Sequence, residues 1–457
     1  MCGLPKLNYI ASCSKPSTVE YLMKYFDDCV VRFVGKCLNM DDEDITDPKV
    51  AAQLQLPVKY GGAGLRPFHQ NVSLTAFYAT RAATADCFEK ARVDVKGWYG
   101  DSFNDEYHTE SAAEHASVHK ALLESGVEPR ALDEKHNQIV PVSSDPNEIQ
   151  AFHAAKKVPH LQRLLQKQVD KKNARSFHQK LGEGLSTAAA TRAKARMLAC
   201  AAPGARRAMV KPPLNDRFSL SNSEFIMSWK MRLGLLPCSR RDLPTKCACG
   251  GVLLDLPRDH LLTCREASAL GRMSSHNLCR DALIACAQDA GYQTEKEPRV
   301  IGHDERPDAK LIDHQGRLIL VDVSFVQPSA ASYSSAASRT ALAAAELREK
   351  TKKKKFVHLA QEVKAHFCPF VVERLGGFGN EARSLINLMA TQGQSIRGCF
   401  DAAGEPAMHY MMWERLVKAL HQGNVGLVRL SLQKCAQHQA SEHFFRPVRA
   451  VRTASAA

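Results

Sequence analysis

Two aspartates in the segment EPRVIGHDERPDAKLIDHQGRLILVDVSFV have the spacing of an acid pair on a β-hairpin. The loop 314–316 has three residues and ends in glycine, which accepts the left-handed backbone that such a loop requires. With Asp313 opposite Arg317, Asp308 and Asp322 are predicted to face each other, about 5 Å apart. Like charges at that distance repel, and a divalent cation such as Mg²⁺ relieves the repulsion. The alternative is a solvated or salt-bridged strand face.

The chemistry that such a pair suggests is phosphodiester cleavage. This reaction needs a cation held by acidic groups, an activated water and a positive group near the developing charge. Many nucleases place a lysine two residues after the second acid, where this chain has Ser324. We therefore expect a lysine of the following helix, AELREKTKKKKF, to supply the charge: Lys352 first, then Lys355 or Lys350. For each lysine the alternative is a solvated basic helix end or a localisation signal.

Two glutamates are further candidates near the predicted hairpin. Glu297 precedes it and is either an additional acidic ligand or the partner in a salt bridge at a strand end. Glu373 lies before a double glycine in PFVVERLGGFG and is either structural or part of the cleft. We rank Glu373 below Glu297.

A cysteine and histidine cluster precedes these segments. Cys247 and Cys249 are followed by two glycines, and His260 and Cys264 lie four residues apart in RDHLLTC. Because residues four apart share a helix face, the four side chains can converge as tetrahedral zinc ligands. This set is closed and structural, with no free position for a catalytic water. Scattered buried cysteines are the alternative, and His276 is either a replacement ligand or a hydrogen-bonded structural residue.

The elements that must position these residues form a mixed α/β pattern in the order α-β-β-β-α-β. The predicted helices cover 276–290 and 337–356, and the predicted strands cover 295–301, 306–312, 317–326 and 369–374. Most of the preceding half has helical patterning. No internal repeat is evident.

Composition limits the class of protein. The 457 residues are 44% hydrophobic and 24% charged, which is ordinary for a globular domain, and the net charge of +14 favours an anionic partner, above all nucleic acid. A basic surface that binds nothing is the alternative. The sequence has no apolar run of membrane-spanning length and no secretory leader, so we expect an intracellular protein. Its 15 cysteines then predict metal ligands rather than a disulfide framework.

One motif is expected to be misleading. The tetrapeptide Tyr25-Phe26-Asp27-Asp28 has the form of the metal-binding motif of reverse transcriptase palms, but only 24 residues precede it. We interpret it as a coincidence and expect no polymerase activity from this chain.

Together these segments resemble the C-terminal part of non-LTR retrotransposon proteins that carry a restriction-like endonuclease of the PD-(D/E)xK type. The resemblance covers about residues 225–390 and rests on motifs in family order: CACG…DHLLTC, HNLCRDAL, EPRV, RPDAKL, LVDVSF, the lysine-bearing helix and PFVVERLGGFG. FDDCV and LPVKYGGAGLRP are similar to the thumb region that follows the palm in the same proteins.

The resemblance implies a domain order. Residues 1–95 would be a thumb-like remnant, 96–240 a helical linker, 241–275 a zinc knuckle, 276–400 the restriction-like endonuclease domain and 401–457 a helical basic tail. The fold class is therefore expected to be mixed α+β with a helical N-terminal half.

The resemblance also implies a function. Asp308 and Asp322 match the catalytic acids that hold Mg²⁺, the cysteine and histidine cluster matches the zinc ligands, and the lysine is displaced onto the next helix. The protein would act in the nucleus on DNA, and on element RNA in the full-length protein, nicking DNA to prime reverse transcription. An inactive nucleic-acid-binding remnant is the second hypothesis, and a zinc-stapled interaction protein is the third.

Overall fold

A computed structural model of the chain describes residues 3–85, 106–132, 137–139, 143, 145–156, 160–207, 218–299, 305–397 and 407–444. The structure is 63% helical and has one four-stranded mixed sheet, which confirms the mixed α+β class. Two compact units are present: one combines 1–36, 51–57 and 63–179, and the other combines 37–50, 58–62 and 180–457. None of the helices in the described part of the chain has the length and apolar character that a membrane span requires.

The bounds of the regular elements are as follows. The α-helices are α1 Gly3–Cys13, α2 Pro16–Cys37, α3 Asp42–Thr46, α4 Pro48–Gln55, α5 Ser73–Ala83, α6 Glu106–Glu124, α7 Pro146–Ala155, α8 Leu161–Lys180, α9 Thr187–Ala201, α10 Asn222–Leu233, α11 His260–Thr263, α12 Ala269–Asp289, α13 Ser334–Ala337, α14 Ala343–Glu362, α15 Asn380–Arg397 and α16 Ala407–Phe444. The strands are β1 Ala131–Leu132, β2 Gln138–Ile139, β3 Gln293–Lys296, β4 Ala309–Ile312, β5 Leu318–Val326 and β6 His366–Glu373.

The described residues of the first unit form helices and the short β1–β2 pair. Its main core joins α5, α6 and α8 through side chains such as Phe77, Leu122 and Leu165, all less than 4% exposed. Asp27 of the YFDD tetrapeptide is also buried in this unit, where it accepts hydrogen bonds from the backbone N–H groups of Phe68 at 2.8 Å and His69 at 3.1 Å. In these contacts Asp27 acts as a hydrogen-bond acceptor for the backbone that begins at Phe68.

The second unit contains the sheet, in the strand order β3-β4-β5-β6. β3, β4 and β5 pair antiparallel, and β5 pairs parallel with β6 after the crossover through α14. β5 and β6 are almost continuously buried, as expected for apolar runs covered on both faces. Val321 and Val323 of β5 pack with α12, α15 and α16 on one face. Leu320 packs with α14 on the other.

The predicted element order α-β-β-β-α-β is present, but several predicted boundaries are wrong. The second strand begins at Ala309 rather than at residue 306, because Pro307 offers no amide for the ladder. The second helix begins at Ala343 rather than at 337, since Leu342 has a left-handed backbone with φ of 66° that interrupts the helix. The first strand covers Gln293–Lys296, earlier than the predicted 295–301, of which residues 300 and 301 lie outside the described residues.

The last strand also begins earlier than predicted, at His366 instead of residue 369. Pro369 lies within it, opposite Asp322. A proline is tolerated here because β6 is at the edge of the sheet, where a missing N–H breaks no second ladder.

The segment expected to be a tail, 401–457, contains the long helix α16, which packs along α12. Gly271 of α12 approaches α16 so closely that a Cβ atom would lie 2.6 Å from the Cα of Leu427, and a Cβ at Gly423 of α16 would lie 2.7 Å from Ser275 Oγ. Met412, Trp413 and Leu420 of α16 belong to the core under the sheet. The described part of this segment therefore completes the core of the second unit.

Candidate active site and metal cluster

The hairpin has the register that the sequence predicts. Ala309 pairs with Val321 and Ile312 with Leu318, so Asp308 and Asp322 occupy the next position outward. Gly316 supplies the left-handed turn residue, with φ of 77°. The loop chemistry thus positions the two acids on neighbouring strands.

Asp322 is 5% exposed and lies on the face of the sheet that α14 covers. The Lys352 Nζ atom is 2.7 Å from Asp322 Oδ2 and 3.0 Å from Oδ1, and the Ser324 hydroxyl donates to Oδ2 at 3.1 Å. Burial raises the pKa of Asp322, Lys352 and Ser324 lower it, and the nearby Asp308 charge raises it, with a net rise. Asp322 is therefore a buried carboxyl whose ionisation depends on a cationic partner.

Asp308 lies at the point where β4 ends beside the longer β5. Its Oδ2 atom accepts a hydrogen bond from the backbone N–H of Val323 at 2.6 Å. The His276 Nε2 atom of α12 is 3.1 Å from the same oxygen. The hydrogen bond to Asp308 is the largest cause of a raised pKa of His276, so this imidazole gains a proton more readily than a free histidine.

The two carboxylates differ in their immediate partners. A ladder N–H lies in the plane of the sheet, so the contact with Val323 places the Asp308 carboxylate at the edge of β5, whereas Asp322 faces α14. The nearby Asp308 charge raises the pKa of Asp322, so the two carboxylates lie close enough to interact. Each like charge thus has a basic neighbour of its own, Lys352 for Asp322 and His276 for Asp308.

Glu297 is beside the acid pair but its carboxylate is held by arginines. Its backbone N–H donates to Asp308 O at 2.9 Å. Its side chain forms ion pairs with Arg280 of α12 and with Arg306, the latter at 3.4 Å. This is the geometry of the strand-end salt bridge that the sequence left as an alternative to a ligand role.

The other residues of the predicted constellation do not contact the acid pair in the described contacts. Lys350 and Lys355 are exposed, and Lys355 Nζ is 5.1 Å from the centroid of the Phe356 ring. Glu373 is 1% exposed and accepts from the backbone N–H of Ala345 in the first turn of α14 at 3.4 Å. Burial raises the pKa of Glu373 to about 7. Its position is structural and supports the start of α14.

The four side chains of the predicted zinc set do converge. The ligand atoms of Cys247, Cys249, His260 and Cys264 all lie within 4.8 Å of one another. His260 Nε2 is 3.3 Å from Cys247 Sγ and 3.4 Å from Cys249 Sγ, and the sulfur atoms of Cys247 and Cys264 are 3.5 Å apart. A tetrahedral zinc site separates its ligand atoms by roughly 3.5–3.8 Å. The cluster could therefore hold a metal ion such as zinc.

Local backbone geometry explains the convergence. The Cys247 N–H donates to Gly251 O, the Gly250 N–H donates to Cys247 O, both at 2.8 Å, and Gly250 has φ of 88°. This tight turn points the two thiols of the Cys-x-Cys segment inwards. His260 and Cys264 lie at the two ends of the single turn α11, where the Cys264 N–H donates to His260 O at 2.7 Å.

Two further contacts connect this cluster with the rest of the second unit. Asp259, next to the ligand His260, accepts hydrogen bonds from Ser329 and Gln327, which follow β5. The buried Cys435 of α16 has its sulfur 3.8 Å from Cys247 Sγ. The cluster therefore contacts both the segment after the strand of Asp322 and the long helix.

Comparisons of the chain with protein-family models and with curated proteins found no match.

Two site residues were not foreseen in their observed roles. His276 was expected to be either a replacement zinc ligand or a hydrogen-bonded structural residue, without Asp308 as its partner, and Arg280 was not singled out. Both belong to HNLCRDAL and lie four residues apart, so they share a face of α12. That spacing is the signal that predicts a common target for the two side chains.

Proposed function

We propose that this chain is the Mg²⁺-dependent DNA endonuclease portion of a non-LTR retrotransposon protein, with a restriction-endonuclease-like core, and that it nicks target DNA to prime reverse transcription. The observation that carries the proposal is the contact of Lys352 with Asp322 at 2.7 Å, on the strand position opposite Asp308. Two coupled acids and a lysine from the next helix are the three charged groups that phosphodiester cleavage requires.

Asp308 and Asp322 would hold the cation, which supplies charge neutralisation and Lewis acidity when bound. Burial of Asp322 favours this role, because a buried carboxylate needs a positive partner. Lys352 would then be released from Asp322 to contact the phosphate that gains charge in the reaction. His276 is a positioning residue, since its Nε2 atom orients the Asp308 carboxylate.

The present pairing is consistent with such an exchange. Removing a cation from two neighbouring carboxylates leaves repulsion that basic side chains can offset. Lys352 forms an ion pair with Asp322, and His276 hydrogen-bonds to Asp308. A nuclease of this kind would keep its acids ionised in either state and alternate between side-chain and metal partners.

The remaining parts of the proposal concern partners. The cysteine and histidine cluster would be a structural zinc knuckle, and the net charge of +14 would favour contact with the phosphates of DNA. Element RNA would be a partner in the full-length protein, and the site of action would be the nucleus.

The test is a nicking assay on supercoiled plasmid in Mg²⁺ and in EDTA. Asp308→Ala and Asp322→Ala are each expected to lower the Mg²⁺-dependent rate at least about 1000-fold, equivalent to about 4 kcal/mol in the barrier. Their affinity for DNA should remain within about twofold of wild type, because that affinity comes mainly from phosphate contacts. Asp242→Ala removes an exposed acid and is the matched control. Full activity of either acid variant contradicts the assignment.

A second candidate is an inactive nucleic-acid-binding remnant. It is favoured by the same pairing of Asp322 with Lys352 and of Asp308 with His276, which gives each acid a basic partner without a metal. A chain of this kind would retard duplex DNA without nicking it in Mg²⁺ or Mn²⁺. The plasmid assay therefore separates the two candidates.

A further inference from the structure

Helix α8 in the first unit presents four cations in one row on its exposed side. Arg163, Lys167, Lys171 and Arg175 are spaced four residues apart and are all exposed. Four residues advance the direction of a side chain by only about 40°, so the row spans about 120° of the helix circumference. We refer to these four residues as the α8 cation row.

The rest of α8 accounts for why this side faces water. Leu161, Leu165 and Val169 on the opposite side are buried in the core of the first unit. Asp170 is the single acid in the helix, and it is 3% exposed and paired with Arg66 at 2.9 Å. The exposed residues of α8 therefore include no carboxylate.

Within the described residues, the α8 cation row forms no ion pair. This differs from Lys15 and Lys120 of the same unit. Lys15 pairs with Glu110, and Lys120 pairs with Glu124 at 4.0 Å. A row of unneutralised charge on a rigid helix repels itself, and an external anion removes that cost.

The dimensions fit a polyanion with regular charge spacing. Successive members of the row are about 6 Å apart along the helix axis, and the row is about 18 Å long. A DNA strand carries one phosphate per about 3.4 Å of duplex axis, so the row has the length of roughly five phosphates.

A lipid surface fits less well, because binding in the interface needs exposed apolar side chains beside the basic ones. The large exposed hydrophobic residues of the described chain include none from α8.

We propose that the α8 cation row binds the phosphate backbone of duplex DNA, as a second contact surface separate from the acid pair of the second unit. The choice of DNA as the polyanion rests on the proposed endonuclease function. The charge itself carries no base specificity, since phosphate contacts position a protein without reading sequence.

The experiment measures affinity of the full chain for a 30-base-pair duplex by fluorescence anisotropy at several KCl concentrations. In the test variant, all four residues of the row are changed to glutamine, which keeps helix propensity. Its affinity at about 100 mM KCl should fall about 100-fold, and the slope of log K against log [KCl] should become shallower by about 3 to 4.

A matched control removes four exposed cations elsewhere in the same unit, so that both variants have equal net charge. The control changes are Lys24→Gln, Arg32→Gln, Lys36→Gln and Lys120→Gln. The control should stay within about threefold of wild type. Equal losses in the two variants overturn the proposal, as does an unchanged slope in the test variant. Thermal unfolding of both variants verifies that they remain folded.

Two further arms separate this proposal from others. Tighter binding of the wild type to phosphatidylserine vesicles than to duplex DNA would overturn it. The plasmid nicking assay separates this proposal from the proposed nuclease activity. If the wild-type chain never nicks plasmid but the test variant loses affinity for DNA, the nuclease proposal alone is refuted. If the test variant nicks plasmid normally and binds DNA as tightly as wild type, the proposal for the α8 cation row alone is refuted.

Discussion

The cysteine and histidine cluster and the acid pair are two groups of candidate site residues in one unit, and their arrangements differ. In the cluster the four ligand atoms lie within 4.8 Å of one another. In the acid pair each carboxylate contacts a different basic side chain, Lys352 for Asp322 and His276 for Asp308. The first arrangement could hold a metal ion such as zinc, and the second holds each carboxylate against a basic side chain.

The difference follows from the chemistry of the ligands. Thiols and a neutral imidazole can come together without charge, so they can converge before a metal binds. Two neighbouring ionised carboxylates repel each other, and a basic partner beside each one offsets that repulsion. The comparison therefore predicts different responses when single partners are removed.

The largest effect is expected from loss of a cluster ligand. Cys264→Ser should reduce bound zinc from about one ion per chain to near zero and destabilise the second unit by several kcal/mol, because zinc binding contributes to folding free energy. Metal analysis and chemical denaturation measure both. Cys435→Ser is the control, since Cys435 is buried beside Cys247 but lies outside the four-ligand group. If the Cys264→Ser chain still binds about one zinc ion, the cluster does not depend on this ligand, and the contrast with the acid pair is contradicted.

The next effect concerns the partner of Asp322. Lys352→Met leaves a buried carboxylate unpaired and should destabilise the protein by about 3 kcal/mol at pH 8. The loss should be smaller at pH 5, because burial already raises the pKa of Asp322 and protonation then relieves the charge. Denaturant titrations at the two pH values measure it.

Two variants serve as controls for that measurement. Adding Asp322→Asn to Lys352→Met should restore most of the stability. Lys355→Met, which removes an exposed lysine of the same helix, should change it by less than about 0.5 kcal/mol. Equal losses of stability in Lys352→Met and Lys355→Met would show that the ion pair with Asp322 contributes no stability of its own.

Glu373 lies in the same sheet and forms no ion pair in the described residues. It therefore shows how burial changes the pKa of a carboxyl there. Its pKa is raised from 4.5 to about 7, so the folded state binds the proton more tightly than the unfolded state. Stability from this group is therefore complete below about pH 4.5 and decreases as the pH rises to about 7. Glu373→Gln should stabilise the protein by about 3 kcal/mol at pH 8 and have little effect at pH 4.5.

Denaturant titrations from pH 4 to pH 8 test this expectation. The stability of wild type should decrease with pH more steeply than that of the variant. Parallel curves would mean that Glu373 does not titrate in this range, and burial would then be a poor guide to the charge of Asp322 as well.

The smallest effect is on the histidine beside Asp308. The hydrogen bond that the imidazole donates to this carboxylate is the main cause of the raised pKa of His276, so Asp308→Asn should lower that pKa. A raised histidine pKa stabilises the fold at low pH, and this contribution is lost as the pH rises through the folded value. Imidazole NMR titration measures the change. An unaltered pKa would show that Asp308 does not influence the protonation of His276.

Local sequence determined the features that depend on a few neighbouring residues. The loop 314–316 set the hairpin register, and hence the facing positions of Asp308 and Asp322, because a three-residue loop with a final glycine closes in one way. The spacing of the cluster ligands likewise determined its membership. The strand and helix boundaries were less accurate, since Pro307 and the left-handed Leu342 act through backbone geometry that apolar periodicity does not report.

Tertiary packing decided the rest. Among the lysines of α14, Lys352 reaches Asp322 because it lies one turn before the buried Phe356, on the side of the helix that packs on β5. Arg280 forms an ion pair with Glu297 because α12 brings Arg280 close to the start of the hairpin. No local sequence pattern specifies this contact. Solvent exposure likewise separates the α8 cation row from the buried side of its helix. These outcomes depend on how distant elements meet, whereas turn chemistry and ligand spacing act between residues that are close along the chain.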